Sequence, residues 1–182
     1  MSNVWTSGLM QMFDVVLNEF EETLRACPDH LWEASMWDVS KDQGYWRPEP
    51  PVLANGNPDP RGIQVHSTFW YVAFHTLFTL DWNFAERVPT WTPPKPFGKN
   101  DLDTGTLPPR TYSRDELLAY VEFNYAKTMS ILTSLSDADA TRPTLAPIRG
   151  EHPPLATRLL NNLLHTAGHH GTLDTFVWQH RP

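Results

Sequence analysis

Apolar residues along this chain recur mostly at three- and four-residue intervals, and the intervals are confined to four stretches. In the first, residues 8–27, Leu9, Phe13, Val16, Leu17, Phe20 and Leu24 form one stripe, with the charged residues mostly off it. Such a stripe predicts an amphipathic helix. The second stretch, 62–88, reads "GIQVHSTFWYVAFHTLFTLDWNFAERV" and is apolar nearly all round, as the most buried helix of a bundle would be. Its aromatic content suits a strand, but its length favours a helix. The third, 113–136, opens on Ser113-Arg-Asp-Glu116, a capping box, followed by Leu117, Val121, Tyr125 and Leu132. The fourth, 155–180, follows Pro153-Pro154 and carries Leu159, Leu160, Leu163 and Leu164.

Proline sharpens these boundaries. The chain has 17 prolines, and none falls inside the four stretches. A proline in a helix interior costs about 3 kcal/mol, so long proline-free windows in a proline-rich chain predict helices. The segments between them, such as "YWRPEPPVLANGNPDPRG" and "PTWTPPKPFGKNDLDTGTLPPR", are turn chemistry. The long connection 28–61 carries Trp32, Trp37 and Trp46 and is expected to pack over one end of the helices. The fold class is therefore all-α, a four-helix bundle with long Pro-rich connections, and residues 1–182 are expected to form one domain.

Charge and composition narrow the function classes. A formal net charge of −7, with acidic residues scattered, argues against nucleic acid and anionic membrane surfaces as partners. No stretch is long and apolar enough to span a bilayer, and the N-terminus lacks the basic region of a signal peptide. Cys27 is the single cysteine, so neither an internal disulfide nor a thiolate cluster is available, and a reduced, cytoplasmic setting is expected.

The candidate chemistry lies in "LLHTAGHHGTLDTF", where His165, His169 and His170 stand close together. His165 and His169 are four residues apart, which on a helix places both rings on one face. Two such imidazoles can bind one metal, and a third ligand must come from elsewhere. The second stretch offers His66 and His75. Their nine-residue separation is about 180° of helical rotation, so at most one is expected to face the pair. The central position favours His75. His170 lies about 100° round from His169, and Asp174 is its expected partner. Against the metal reading stands a plainer one, in which the spaced pair is surface polarity and His75 a hydrogen-bonded core histidine.

Two short segments in a fixed order carry a resemblance. "AFHTLFTLDWNF", followed some ninety residues later by "LLNNLLHTAGHHGTLDTF", resembles the DinB/YfiT-like family of metal-dependent enzymes. The resemblance implies a mononuclear three-histidine site with His75, His165 and His169 as metal ligands. It also implies a glycine two residues after the last ligand, here Gly171. Thr172 stands where the family commonly has glutamine. Characterised relatives are thiol-dependent transferases or isomerases that use a low-molecular-weight thiol, and homodimers are usual. The implied cofactor is a divalent metal. All-imidazole ligation suits zinc, nickel, copper or ferrous iron, with zinc or nickel expected first.

The residues leave the reaction open. A metal with one free position could generate hydroxide for a metal-dependent hydrolase or bind a thiol as thiolate for S-transfer, acting on a small-molecule substrate. A non-enzymatic metal- or ligand-binding bundle, or a dimerisation module, also fits. The Glu-x-x-His pairs of di-iron bundles, a His-Glu-x-x-His motif, a phosphate loop and a Gly-x-Ser-x-Gly elbow are all absent. Gly168 and Gly171 are expected to permit close helix contact or to leave room beside a metal. Asn161, Asn162, Asp174 and Asp81 are possible supports for the imidazoles, although helix-surface polarity is the commoner role for such residues.

Overall fold

A computed structural model describes residues 4–39, 51–52, 56–102, 107–148 and 150–181. Four long helices make the framework: α1 Val4–Ala26, α2 Phe69–Phe84, α3 Arg114–Ser134 and α4 Leu155–Gln179. No strand occurs among the described residues, only isolated bridges. The fold is an all-α four-helix bundle. Each helix falls within or close to a proline-free stretch. α2 starts later than its stretch because Ile63–Ser67 form a separate 3-10 turn, which ends where Thr68 turns extended.

Helix starts follow local chemistry. The Ser113 hydroxyl accepts from the Glu116 amide while the Glu116 carboxylate accepts from the Ser113 amide, so the expected capping box forms. Pro154 is the N-cap of α4. At its other end, α2 closes with the Glu86 amide on the Asn83 carbonyl and the Arg87 amide on the Trp82 carbonyl. This is a Schellman motif. Its left-handed position, usually glycine, is occupied by Glu86 at φ 51°, and Arg87 follows at φ 55°.

α1 packs against α3 and α4, and α2 packs against the same two helices. Around the bundle the order is therefore α1, α3, α2, α4. α1 and α2 sit diagonally, and so do α3 and α4, which is why the connections joining them must be long. The described part of the first connection does pack on the bundle. Trp32 is buried with its indole N–H on the Tyr112 carbonyl at 2.9 Å, and the Met36 amide reaches the Ser67 carbonyl at 2.8 Å. Trp37 packs against the core from the side, while Trp46 lies outside the described residues.

The core has two parts. One is aromatic, with Phe69, Trp70, Phe74, Phe97, Tyr112, Tyr120 and Phe176 in mutual contact or stacked. The other is aliphatic, built on Leu9, Leu17, Leu80, Leu132, Leu155 and Leu159 with Phe13 edge-on to Phe84. Asp81 sits between them with its side chain fully buried. It pairs with Lys127 and accepts from the Tyr120 hydroxyl at 3.0 Å, joining α2 to α3. The surface role expected for Asp81 is thereby corrected: its position in an all-round apolar helix leaves it no water, so it must carry its own partners.

Candidate metal centre

His75 is on α2, and His165 and His169 are one turn apart on α4. Packing of α2 against α4 brings the three together. The Nε2 atoms of His75 and His165 are 3.3 Å apart, and those of His169 and His165 are 3.2 Å apart. One ligand atom from each of the three lies within 4.8 Å of both others. The ring planes of His75 and His169 stand at 80° with centroids 5.1 Å apart, so these two rings do not stack.

Burial keeps these imidazoles neutral. It holds His75 well below the usual histidine range, an effect reinforced by the nearby His169, His165 and His66. Burial, then His169 and Arg87, lower His165 to about 4, and burial lowers His169. Three neutral rings close together offer lone pairs with no proton to displace at neutral pH.

The donor set fits a divalent metal. Tetrahedral ligands at about 2.0–2.1 Å from zinc stand about 3.3–3.4 Å from one another, close to the two spacings found between the histidines. A hydrogen-bonded reading fits less well, since His165 Nε2 would serve two imidazole neighbours at once with a single lone pair or a single proton. Metal ligation through Nε2 leaves each Nδ1 as the protonated nitrogen.

The three rings open on a cleft of about 970 Å³ between α2 and α4. From α2 its wall continues from His75 through Thr79 and Asn83 to Arg87 in the turn after the helix, and on α4 from His169 through His165 and Asn161 to Arg158. Trp37, Tyr71, Val72 and Ile148 give it apolar sides.

Several residues lie elsewhere than the sequence indicated. His66 also faces the cleft, because it belongs to the 3-10 turn and the helical phase counted from His75 does not reach it. Its Nδ1 is 2.9 Å from the Ile63 carbonyl, and its ring stands edge-on to Tyr71. His170 meets Thr23 of α1 at 3.2 Å, not Asp174, because the bundle turns that face of α4 toward α1. Asn162 does not touch an imidazole. It is buried, accepts from the Asn83 amide at 3.2 Å and donates to the Leu80 carbonyl at 3.3 Å, so it ties α4 to α2 one turn from His165. A Cβ added at Gly168 or Gly171 would meet nothing within 4 Å, so neither glycine permits a close helix contact.

Arg87 and Arg158 were missed. An arginine in the first turn of an amphipathic helix reads as a solvated charge. The available signal was that Arg158 lies seven residues before His165, on the same helical face.

The family model described as the DinB superfamily matches residues 12–173. The chain belongs to the DinB superfamily. The match spans all three clustered histidines and most of the bundle. No curated protein and no solved structure matches the chain. DinB proteins are generally metal-binding, and the three-histidine cluster of this member is compatible with that. Among the described residues of this DinB protein, no helix is long and apolar enough to cross a membrane.

Proposed function

We propose that this DinB protein is a metal-dependent enzyme whose mononuclear divalent site is held by His75, His165 and His169. Its reaction is the transfer or rearrangement of a small substrate with a low-molecular-weight thiol. The observation that carries the reading is the convergence of three neutral imidazole edges at the head of a deep, partly apolar cleft. A bound zinc or nickel ion would supply a Lewis acid that stabilises thiolate at neutral pH.

The chain does the rest. His75 and the α4 pair leave their open side toward the cleft, where a thiol and an electrophile can meet. The apolar wall of Trp37, Tyr71 and Val72 limits water there, which strengthens electrostatic interactions with the sulfur. In the transfer, the sulfur bonds to an electrophilic carbon. The bond from that carbon to chlorine breaks with its electron pair leaving as chloride, and the thiol proton passes to solvent. The same reading includes a cytoplasmic setting and a homodimer. The row of Leu160, Leu164 and Trp178 on α4, 50, 69 and 65% exposed, is the face a second copy would cover.

Elemental analysis of the purified protein tests the site. The wild type is expected to hold about one metal per chain, and His75→Ala and His169→Ala to lose it while retaining their helical circular dichroism. Bacillithiol or mycothiol, offered with chlorinated or epoxide electrophiles, tests the reaction. Metal-dependent conjugate is expected; its absence with every pair removes the transfer reading and leaves a metal-binding bundle.

A further inference from the structure

The far end of the cleft carries a second, unexplained cluster. Arg158 is 1% exposed, yet its Nε and Nη2 have no hydrogen-bond partner among the described residues. Only Nη1 is engaged, on the Ala146 carbonyl at 3.3 Å. Arg87 lines the same end, held by its Nε on Asn83 at 2.9 Å and by its guanidinium 4.6 Å over the Trp82 ring. Neither arginine makes an ion pair among the described residues.

The nearest carboxylate among the described residues, Glu86, is already committed. Glu86 takes two bonds from Arg142, at 2.7 and 3.2 Å, and one from the Leu145 amide at 2.7 Å. Arg142 also stands 3.6 Å from Asp139, and neither carboxylate makes an ion pair with Arg158 or Arg87 among the described residues. Arg158 also stands in the first turn of α4, where the helix dipole disfavours a cation and favours an anion. An unpaired buried guanidinium is costly, and arginine's fork matches a planar oxyanion.

The backbone adds to the cost. Glu86 and Arg87 both hold left-handed φ angles, which side chains with a Cβ rarely adopt. That turn sends Glu86 toward Arg142 and leaves Arg87 on the cleft. Strain of this kind concentrates where a ligand is held.

We propose that Arg87 and Arg158 form an oxyanion subsite, which takes a carboxylate or phosphate group of the small molecule that enters the cleft. Arg158 is seven residues from His165 along α4, a rise of about 10 Å. The substrate is accordingly two-ended, with its reacting end at the histidines and an anionic end about 10 Å away. The position of the reacting end rests on the metal reading given above. The anion site rests on the arginines alone.

Isothermal titration of the metal-free protein with inorganic phosphate and, separately, with glutarate tests it and separates the two anion types. Saturable binding of at least one is expected, weakened at least tenfold in Arg158→Leu and in Arg87→Gln. A purely structural role for Arg158 makes the opposite prediction, a lower melting temperature in Arg158→Leu with anion binding unchanged. Here the melting temperature is expected to stay level or rise, because an unpaired buried charge has gone. If Arg158→Leu does not fold, Arg158→Lys carries the test, since it keeps the charge and loses the fork; tenfold weaker binding is again expected. No saturable binding of either anion to the wild type, or equal binding by the arginine variants, overturns the proposal. Anion binding, together with a purified wild type that elemental analysis finds without metal before any metal is stripped, would leave this subsite standing and remove the metal centre.

Discussion

At the scale of single residues, burial decides chemistry more than residue type does. Asp81 and Asp174 are both aspartates on helices, yet only Asp81 lies where water cannot reach, and it therefore needs Lys127 and Tyr120. Removing one partner of such a pair leaves the other charge uncompensated, at a cost of about 3 kcal/mol. Lys127→Ala is expected to lower stability by about that amount in urea unfolding, with no change in metal content. A loss well under 1 kcal/mol would show that Tyr120 alone satisfies Asp81. The histidines obey the same rule. His75, His165 and His169 are kept neutral by their surroundings, whereas His170, with Thr23 at 3.2 Å, faces away from them toward α1.

At the scale of elements, helix ends show how far local chemistry reaches. The α3 capping box needs only four consecutive residues, so it was legible before any fold was known. Arg110 strengthens it, and the hydrogen bond from its guanidinium is the main reason that Glu116 falls to about 2 from an ordinary 4.5. A carboxylate depressed in the folded state stabilises the fold above its unfolded value and loses that contribution as pH falls. The stability gap between wild type and Glu116→Gln is therefore expected to be full above about pH 4.5 and to close toward pH 2, as read from urea midpoints along a pH series. A gap that is constant with pH would mean that the carboxylate acts as a neutral acceptor only. The end of α2 was not legible in this way. Nothing in "NFAERVP" announces a left-handed glutamate, because the reward for that turn is Arg142, which lies 56 residues away in sequence.

At the scale of the molecule, the site exists because α2 and α4 are neighbours while α1 and α2 are diagonal. A metal held by histidines of two helices would act as a cross-link. An ion that binds only the folded state stabilises it by about 2.7 kcal/mol at a hundredfold excess over its dissociation constant. Addition of zinc to the metal-free protein is expected to raise its melting temperature by several degrees, and the rise should vanish in His169→Ala. Equal melting curves with and without zinc would separate the histidine cluster from metal binding.

Proline exclusion, apolar spacing and capping are all encoded within a turn or two of chain, and they set the four helices. The same local rules place His165 and His169 on one face, since a helix fixes residues four apart. Tertiary structure decided what no local rule contains: which imidazole completes the set, that His66 shares the cleft from a 3-10 turn, and that Arg87 and Arg158 meet at its far end. The physical reason is that helical periodicity orients a side chain about its own axis only. Which axis lies opposite is settled by the packing of every apolar face at once.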